Sequence, residues 1–384
     1  MSAAGNLMIL GASARAAAFS ALRAGLKPWC ADLFADADLQ ARCPAMRLPP
    51  DTYPQGFADL MQTELAGPWM YTGGLENYPQ LVRKMAARRP LWGSAASALV
   101  ACRSPAVWRE HLQKEYLPSP RCLPYGAPLA APGQWLLKPL RSCGGAGIQF
   151  FDGDHTRPRS GVYLQEYIQG ESCAALFLGS GFSADLLGVT RQLVGEDWLR
   201  ARPFCYCGSI GPLPVDRVLK HALQRLGTAL ASHCPLMGLF GVDCVVRDGV
   251  PYPVEINPRY TASAEVLEYA ANVPALALHA VAFDPQALPE DARPLPELRP
   301  GLVGKAILFA RQTLDFPADG PWREAIEQPD DIWQLPAFAD IPHPGECITE
   351  GKPILTYFVR GESEEDCREK LKLGAAALEQ RLFG

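Results

Sequence analysis

Four apolar residues in a row, Leu7-Met8-Ile9-Leu10, precede Gly11-Ala12-Ser13 and an alanine-rich stretch that runs to about Ala24, ahead of Gly25. A short apolar run bounded by small residues predicts a buried strand, and the alanine-rich stretch predicts a helix. Ser13 is placed to cap that helix and Gly25 to stop it. A second strand is expected to end near Ala31-Asp32. Strand, helix, strand is the opening of an α/β layer with a parallel sheet. The glycine fingerprint of a dinucleotide site is missing, because Gly11 stands alone where three glycines are needed, and this argues against NAD.

Farther along, Gly238–Arg259 reads as strand, turn at Asp248-Gly249, strand. Apolar runs at Gly304–Arg311 and Ile354–Arg360 predict two more strands. The chain closes with a helix in which Ser363 and Asp366 form a capping-box-like start and Leu371, Ala375, Leu378 and Leu382 share a face. Pro49-Pro50-Asp51 and Pro118-Ser119-Pro120 predict loops. Five prolines between Pro285 and Pro300 predict a linker.

Composition narrows the class without choosing a function. The chain has 384 residues, 48% hydrophobic and 20% charged, enough for two or three domains. A net charge of -5 argues against a nucleic-acid partner. No uninterrupted apolar run is long enough to span a membrane, and the first ten residues do not read as a signal peptide. The 12 cysteines form no CxxC pair. The expected location is therefore cytoplasmic, with reduced thiols, and Cys205 with Cys207 would be only half of a metal site.

Three segments carry candidate chemistry. In Gly238–Arg259 the polar residues are Asp243, Glu255 and Asn257, and Glu255 and Asn257 share a strand face. A two-residue loop at 248–249 would set Asp243 opposite Val254 and leave Glu255 on the other face. A three-residue loop at 248–250 would set Asp243 opposite Glu255. Two facing carboxylates and an amide oxygen suit Mg, with Mn as an alternative; otherwise the segment is a solvated hairpin. In Leu137–Ile148, Lys138 precedes Gly144, Gly145 and Gly147, a loop whose backbone amides could approach phosphate. In Val162–Glu171, a strand ends at Gln165-Glu166-Tyr167-Ile168, where backbone groups could read an adenine edge.

Taken in this order, the segments resemble the ATP-grasp superfamily over roughly residues 1–295. The KP-glycine loop matches Lys138–Gly147, the E-x-I-x-G-E hinge matches Glu166–Glu171, and the metal signature matches Asp243, Glu255, Asn257 and Arg259. The tail resembles the C-terminal cap of carboxylase-like members. The resemblance implies a pre-ATP-grasp domain of parallel α/β type (1–105), α+β ATP-grasp lobes (106–295) and a small α+β cap (301–384). It implies ATP contacted by Lys138, the glycine loop and Gln165–Ile168, with ribose at Glu171. It assigns metal to Asp243, Glu255 and Asn257, and the acyl phosphate to Arg259. Arg103 is the candidate for a further basic residue on the first lobe. His343, in the cap, reads as solvated.

The activity so implied is activation of a small-molecule carboxylate by Mg-ATP and its transfer to an amine, by a protein that commonly forms homodimers. The loop Tyr71–Asn77 is a candidate specificity loop. The run Asn257–Ser263 resembles ATP-grasp proteins linked to methanopterin and methanofuran, which implies a cofactor precursor as substrate. The competing readings are a bicarbonate-activating carboxylase, a nucleotide-binding regulatory protein and, more distantly, a Rossmann oxidoreductase.

Overall fold

The computed structural model describes residues 5–63, 65–128, 134–153, 159–289, 300–327 and 331–384. Most of the expected Pro285–Pro300 linker lies outside them. The N-terminal part alternates β1 (Asn6–Leu10), α1 (Arg15–Arg23), β2 (Lys27–Asp32), α2 (Ala37–Gln40), β3 (Ala45–Arg47), α3 (Phe57–Leu60) and β4 (Trp69–Tyr71). Its four strands form a parallel sheet in the order β3-β2-β1-β4, as the opening pattern predicts. Gly25 ends the first helix at φ 77°. Ser13 does not cap it. The Asp32 carboxylate, at the end of the neighbouring strand, accepts the Ala14 N–H at 2.7 Å, which places an anion at a helix N-terminus.

After α4 (Pro79–Ala86), α5 (Ala96–Cys102) and α6 (Pro105–Lys114), a small antiparallel sheet is built from β5 (Cys122–Pro124), β6 (Trp135–Pro139), β7 (Gln149–Phe150) and β8 (Val162–Glu166), in the order β5-β8-β6-β7. The next unit contains β9 (Glu171–Ser180), β10 (Ala184–Val194), β11 (Tyr206–Gly211), α7 (Arg217–His233), β12 (Met237–Arg247) and β13 (Val250–Asn257). It is followed by α8 (Ala262–Ala271) and α9 (Ala275–Phe283). Among the described residues no single helix is long and apolar enough to cross a membrane.

The C-terminal part adds β14 (Leu302–Phe309), β15 (Leu314–Asp315), α10 (Arg323–Glu327), β16 (Phe338–Ala339), β17 (Cys347–Ile348), β18 (Pro353–Gly361) and α11 (Glu364–Phe383). β14 pairs with β11, so one eight-stranded sheet runs β13-β12-β9-β10-β11-β14-β18-β16 through both parts. The Ser363 hydroxyl accepts the Asp366 N–H at 3.1 Å, as the capping pattern predicts. Leu371, Ala375 and Leu378 are buried beneath α11.

Candidate active site

The hairpin β12–β13 sets the geometry of the site. Its turn is the two-residue loop at Asp248-Gly249, with φ of 52° and 75° and Arg247 paired with Val250. Both positive angles match the twist of a tight hairpin. That loop alone would put Asp243 opposite Val254. The ladder instead shifts by one residue between the Cys244–Pro253 and Asp243–Glu255 pairs. Val254 is thus an extra residue in β13, a β-bulge, and it brings Asp243 opposite Glu255. The structure combines the shorter loop with the pairing expected of the longer one. Pro251 and Pro253 cannot donate to a ladder, and β13 is accordingly an edge strand.

The bulge has a second effect. The Val254 carbonyl accepts the Lys138 ammonium at 3.0 Å, and Gln165 Nε2 approaches the same oxygen at 3.4 Å. Lys138 also donates to Gln165 Oε1 at 3.0 Å. Burial lowers its pKa, opposed by Glu255. The kink that aligns the carboxylates therefore also seats the lysine.

Asp243 accepts hydrogen bonds from Gln192 Nε2 at 2.9 Å and Asn257 Nδ2 at 3.2 Å, and among the described residues it forms no salt bridge. Burial, then the facing Glu255, push its carboxyl up to about 7. Glu255 is held by Arg103 at 3.0 Å. Arg103 and Arg259 converge on the buried Glu76, at 3.4 and 2.8 Å, and Arg259 also donates to Asn257 Oδ1 at 3.2 Å. Burial opposes the charge on both guanidiniums, and the carboxylates outweigh it and raise their pKa values. The structure thus brings together Lys138, Asp243, Glu255, Asn257, Arg259 and Gln165, and adds Arg103. It also recruits Glu76 from the Tyr71–Asn77 loop, and Gln192, which the sequence did not single out.

The remaining candidates lie around this centre. Gly144, Gly145 and Gly147 all have positive φ, and the Gly144 carbonyl accepts the Tyr206 N–H at 3.3 Å. A Cβ on Gly145 would lie 1.9 Å from the Phe204 carbonyl oxygen, so only glycine allows the loop to rest there. Asn77 donates to the Ser142 carbonyl at 3.2 Å, tying the N-terminal part to the loop. Glu166 pairs with Arg121 at 3.1 Å, Tyr167 packs edge-on against Phe150, and Ile168 is buried. Glu171 is largely exposed and pairs with Arg191 at 2.8 Å. His343 is not solvated as expected; it is half-buried, with Nε2 bonded to the Ala35 carbonyl at 2.9 Å. Cavities of about 340 and 540 Å³ lie elsewhere, against α11 and between α2 and α10; of the candidate residues only His343 lines one of them, the second.

The donor set fits a divalent cation. Two facing carboxylates and an amide oxygen are hard ligands, and the displaced Asp243 pKa records a charge conflict that such an ion would relieve. Among the described residues no group of three or more His, Cys, Asp or Glu gathers as a metal cage.

This constellation on this sheet defines a class. Residues 107–263 match the family model described as ATP-grasp domain, so the chain carries an ATP-grasp domain. It is similar in fold to L-amino acid ligase from Bacillus licheniformis (17% identity, 97% of each chain covered, TM-score 0.69). It is similar also to N5-carboxyaminoimidazole ribonucleotide synthetase from Thermus thermophilus (15% identity, 98% and 99% covered, TM-score 0.68). The biotin carboxylase domain of the Hydrogenobacter thermophilus 2-oxoglutarate carboxylase, solved with MgADP and bicarbonate, shares 13% identity over 95% of this chain and 88% of that one, with TM-score 0.68. At these identities the likeness establishes the ATP-grasp fold. A curated relative, an uncharacterized protein of Methanocaldococcus jannaschii, is 25% identical over 233 residues, 59% of this chain. The match spans about half that relative's length.

Proposed function

We propose that the protein is a Mg-ATP-dependent ligase that activates a carboxylate as an acyl phosphate and joins it to an amine. The observation that carries this reading is the Asp243–Glu255 pair beside Asn257 and Arg259, set in register by the Val254 bulge. In this reading Asp243, Glu255 and Asn257 hold Mg, which supplies neutralising charge to the phosphate oxygens. Lys138, fixed by Val254 and Gln165, adds a positive charge beside the ATP phosphates. Arg259 orients the carboxylate and stabilises charge on the acyl phosphate, and Glu76 holds its guanidinium in place. The glycine loop, resting on Phe204 and Tyr206, excludes water from the intermediate. Strand end Gln165–Ile168 takes the adenine and Glu171 the ribose. The run Asn257–Ser263 supports a cofactor precursor, of the methanopterin or methanofuran kind, as the substrate.

The test is phosphate release from Mg-ATP, screened against pools of carboxylates and amines, with Glu255→Gln as control. The ligase reading requires release that depends on both pools and vanishes in the control. A second reading, activation of bicarbonate, is favoured by the likeness to the carboxylase domain solved with bicarbonate. It would be supported by release with bicarbonate and no amine. Binding of Mg-ATP without release in any pool would favour a regulatory role.

A further inference from the structure

Four buried side-chain atoms close to Arg259 have no hydrogen-bond partner among the described residues: Glu76 Oε2, Asn77 Oδ1, Arg103 Nε and Arg103 Nη2. An unpaired buried polar atom is costly, and native structures keep few of them. Four at one centre therefore point to a ligand, and they divide into two kinds. Nε and Nη2 form one edge of the Arg103 guanidinium, the kind of edge that meets a carboxylate or phosphate through two parallel bonds. Nη1 is already engaged by Glu255 at 3.0 Å, and Nη2 passes 3.4 Å from Glu76 Oε1 without the alignment of a hydrogen bond. The free edge suits the anions of the ligase reading. Glu76 Oε2 and Asn77 Oδ1 are acceptors, which no anion can satisfy, and they call for N–H groups.

Both acceptors stand on the turn Leu75–Asn77. Gly74 enters that turn at φ 98°, and a Cβ there would meet the Tyr53 hydroxyl at 2.1 Å, so the turn needs glycine. Glu76 gives Oε1 to Arg259 Nε at 2.8 Å and keeps Oε2 free. Asn77 donates through Nδ2 to the Ser142 carbonyl at 3.2 Å. That carbonyl can only accept, so the amide orientation is fixed and Oδ1 is the free atom. Glu76 is fully buried and Asn77 is 9% exposed. The opening lies on the side of the cations: the side chains of Arg103, Glu255 and Arg259 are 15, 23 and 13% exposed, against 1% for Glu76. The two acceptors thus lie at the inner end of the site, behind Arg259 and beneath the glycine loop at Ser142.

This placement fits the second half of the proposed reaction. Glu76 and Arg259 form one ion pair, so a group held at Oε2 is a neighbour of a group held by the Arg259 guanidinium. A nucleophile must be positioned against the acyl carbon at about 3–3.5 Å to react efficiently. A nitrogen whose N–H groups are taken by acceptors keeps its lone pair for that carbon.

We propose that the Leu75–Asn77 turn is the amine seat, with Glu76 Oε2 and Asn77 Oδ1 accepting two N–H groups of the amine substrate. The substrate class is a primary amine. This rests on the ligase reading, and one set of assays separates the two. The full-length protein is incubated with Mg-ATP and the carboxylate pool, and the acyl phosphate is trapped by borohydride as the alcohol. Amide formation is measured in parallel against methylamine and dimethylamine, with Tm recorded for each variant. The variants are Glu76→Gln, which keeps an acceptor for Arg259 but can turn an N–H toward the seat, and Asn77→Ala. The expected result is a KM for methylamine raised at least about tenfold in each variant, as loss of a hydrogen bond in a dry site requires, with trapped alcohol within about threefold of the wild type. In the wild type, dimethylamine, with one N–H to give, should show a KM at least about tenfold above methylamine, which tests the seat without any variant. An unchanged methylamine KM in both variants overturns the proposal, as when water alone satisfies these oxygens. So does a parallel fall of trapped alcohol and amide at constant KM, which would leave Glu76 only as the support of Arg259. Trapped acyl phosphate that no concentration of methylamine consumes overturns it as well. No trapped alcohol in the wild type overturns the ligase reading itself, and the seat with it.

Discussion

Replacing Asp243 by Asn should stabilise the protein while disabling its metal site. Asp243 faces Glu255 across β12–β13 with no salt bridge to it among the described residues, and its carboxyl is pushed up to about 7 from an ordinary value of 3.8. A carboxyl raised in the folded state costs nothing below pH about 4, because it is protonated in both states. The cost grows with pH and is complete above about 7. Three units at about 1.4 kcal/mol each give an upper bound of about 4 kcal/mol. Asn keeps an acceptor for Gln192 and Asn257 but loses the charge that strengthens those bonds, at about 1 kcal/mol. The net gain should be about 1–3 kcal/mol at pH 8, shrinking toward zero near pH 4. Urea titrations of both proteins at the two pH values measure it. Adding Mg-ATP at a hundredfold excess over its Kd should stabilise the wild type by about 2.7 kcal/mol and Asp243→Asn hardly at all. Were the variant no more stable than the wild type at pH 8 without Mg-ATP, the charge conflict would not exist. Were Mg-ATP to stabilise both equally, Asp243 would not be a ligand.

Three further outcomes follow from particular contacts. Glu76→Gln removes the buried carboxylate on which Arg103 and Arg259 converge; urea midpoints should fall by an amount equivalent to about 3 kcal/mol. Gly145→Ala places a Cβ 1.9 Å from the Phe204 carbonyl at φ 80°; phosphate release should drop at least about tenfold with Tm nearly unchanged, because only the closed loop is lost. His279 is buried and neutral. Its Nδ1 accepts the Leu239 N–H at 2.9 Å, which leaves Nε2–H to donate to the Trp92 carbonyl at 3.2 Å. Burial lowers its pKa to about 4, so its contribution is complete above pH 6.5 and is lost as pH falls toward 4, to about 3 kcal/mol. His279→Gln should flatten the pH dependence of urea midpoints across that window.

The opening strands and first helix were legible because a parallel α/β layer writes its pattern locally: apolar run, small turn, alanine-rich helix. The cap was not, because Asp32 reaches Ala14 from the next strand and outcompetes Ser13. The candidate metal residues were legible as types and spacing within one hairpin. Their facing was left open, because a bulge at Val254 has no signature in a run such as Val250–Glu255, and only the loop length could be weighed. Glu76 lay in a loop already marked by its polarity, but nothing local says that it binds two arginines from residues 103 and 259. Gln192 is one polar residue in a long strand, meaningful only where β10 brings it to Asp243. The buried Arg15 pairs with Asp38 and Asp340, residues more than 300 positions apart, and no sequence window contains both.

The central claim is that a carboxylate oxygen attacks the terminal phosphate of ATP. The most direct measurement is isotope transfer. The carboxylate pool is labelled with heavy oxygen and incubated with Mg-ATP, the amine pool and the protein, and the released phosphate is examined by mass spectrometry. An acyl phosphate intermediate predicts that each phosphate carries one oxygen from the carboxylate, and that Glu255→Gln releases none. Unlabelled phosphate released in the presence of the labelled carboxylates would mean that water attacks ATP directly and would contradict the account.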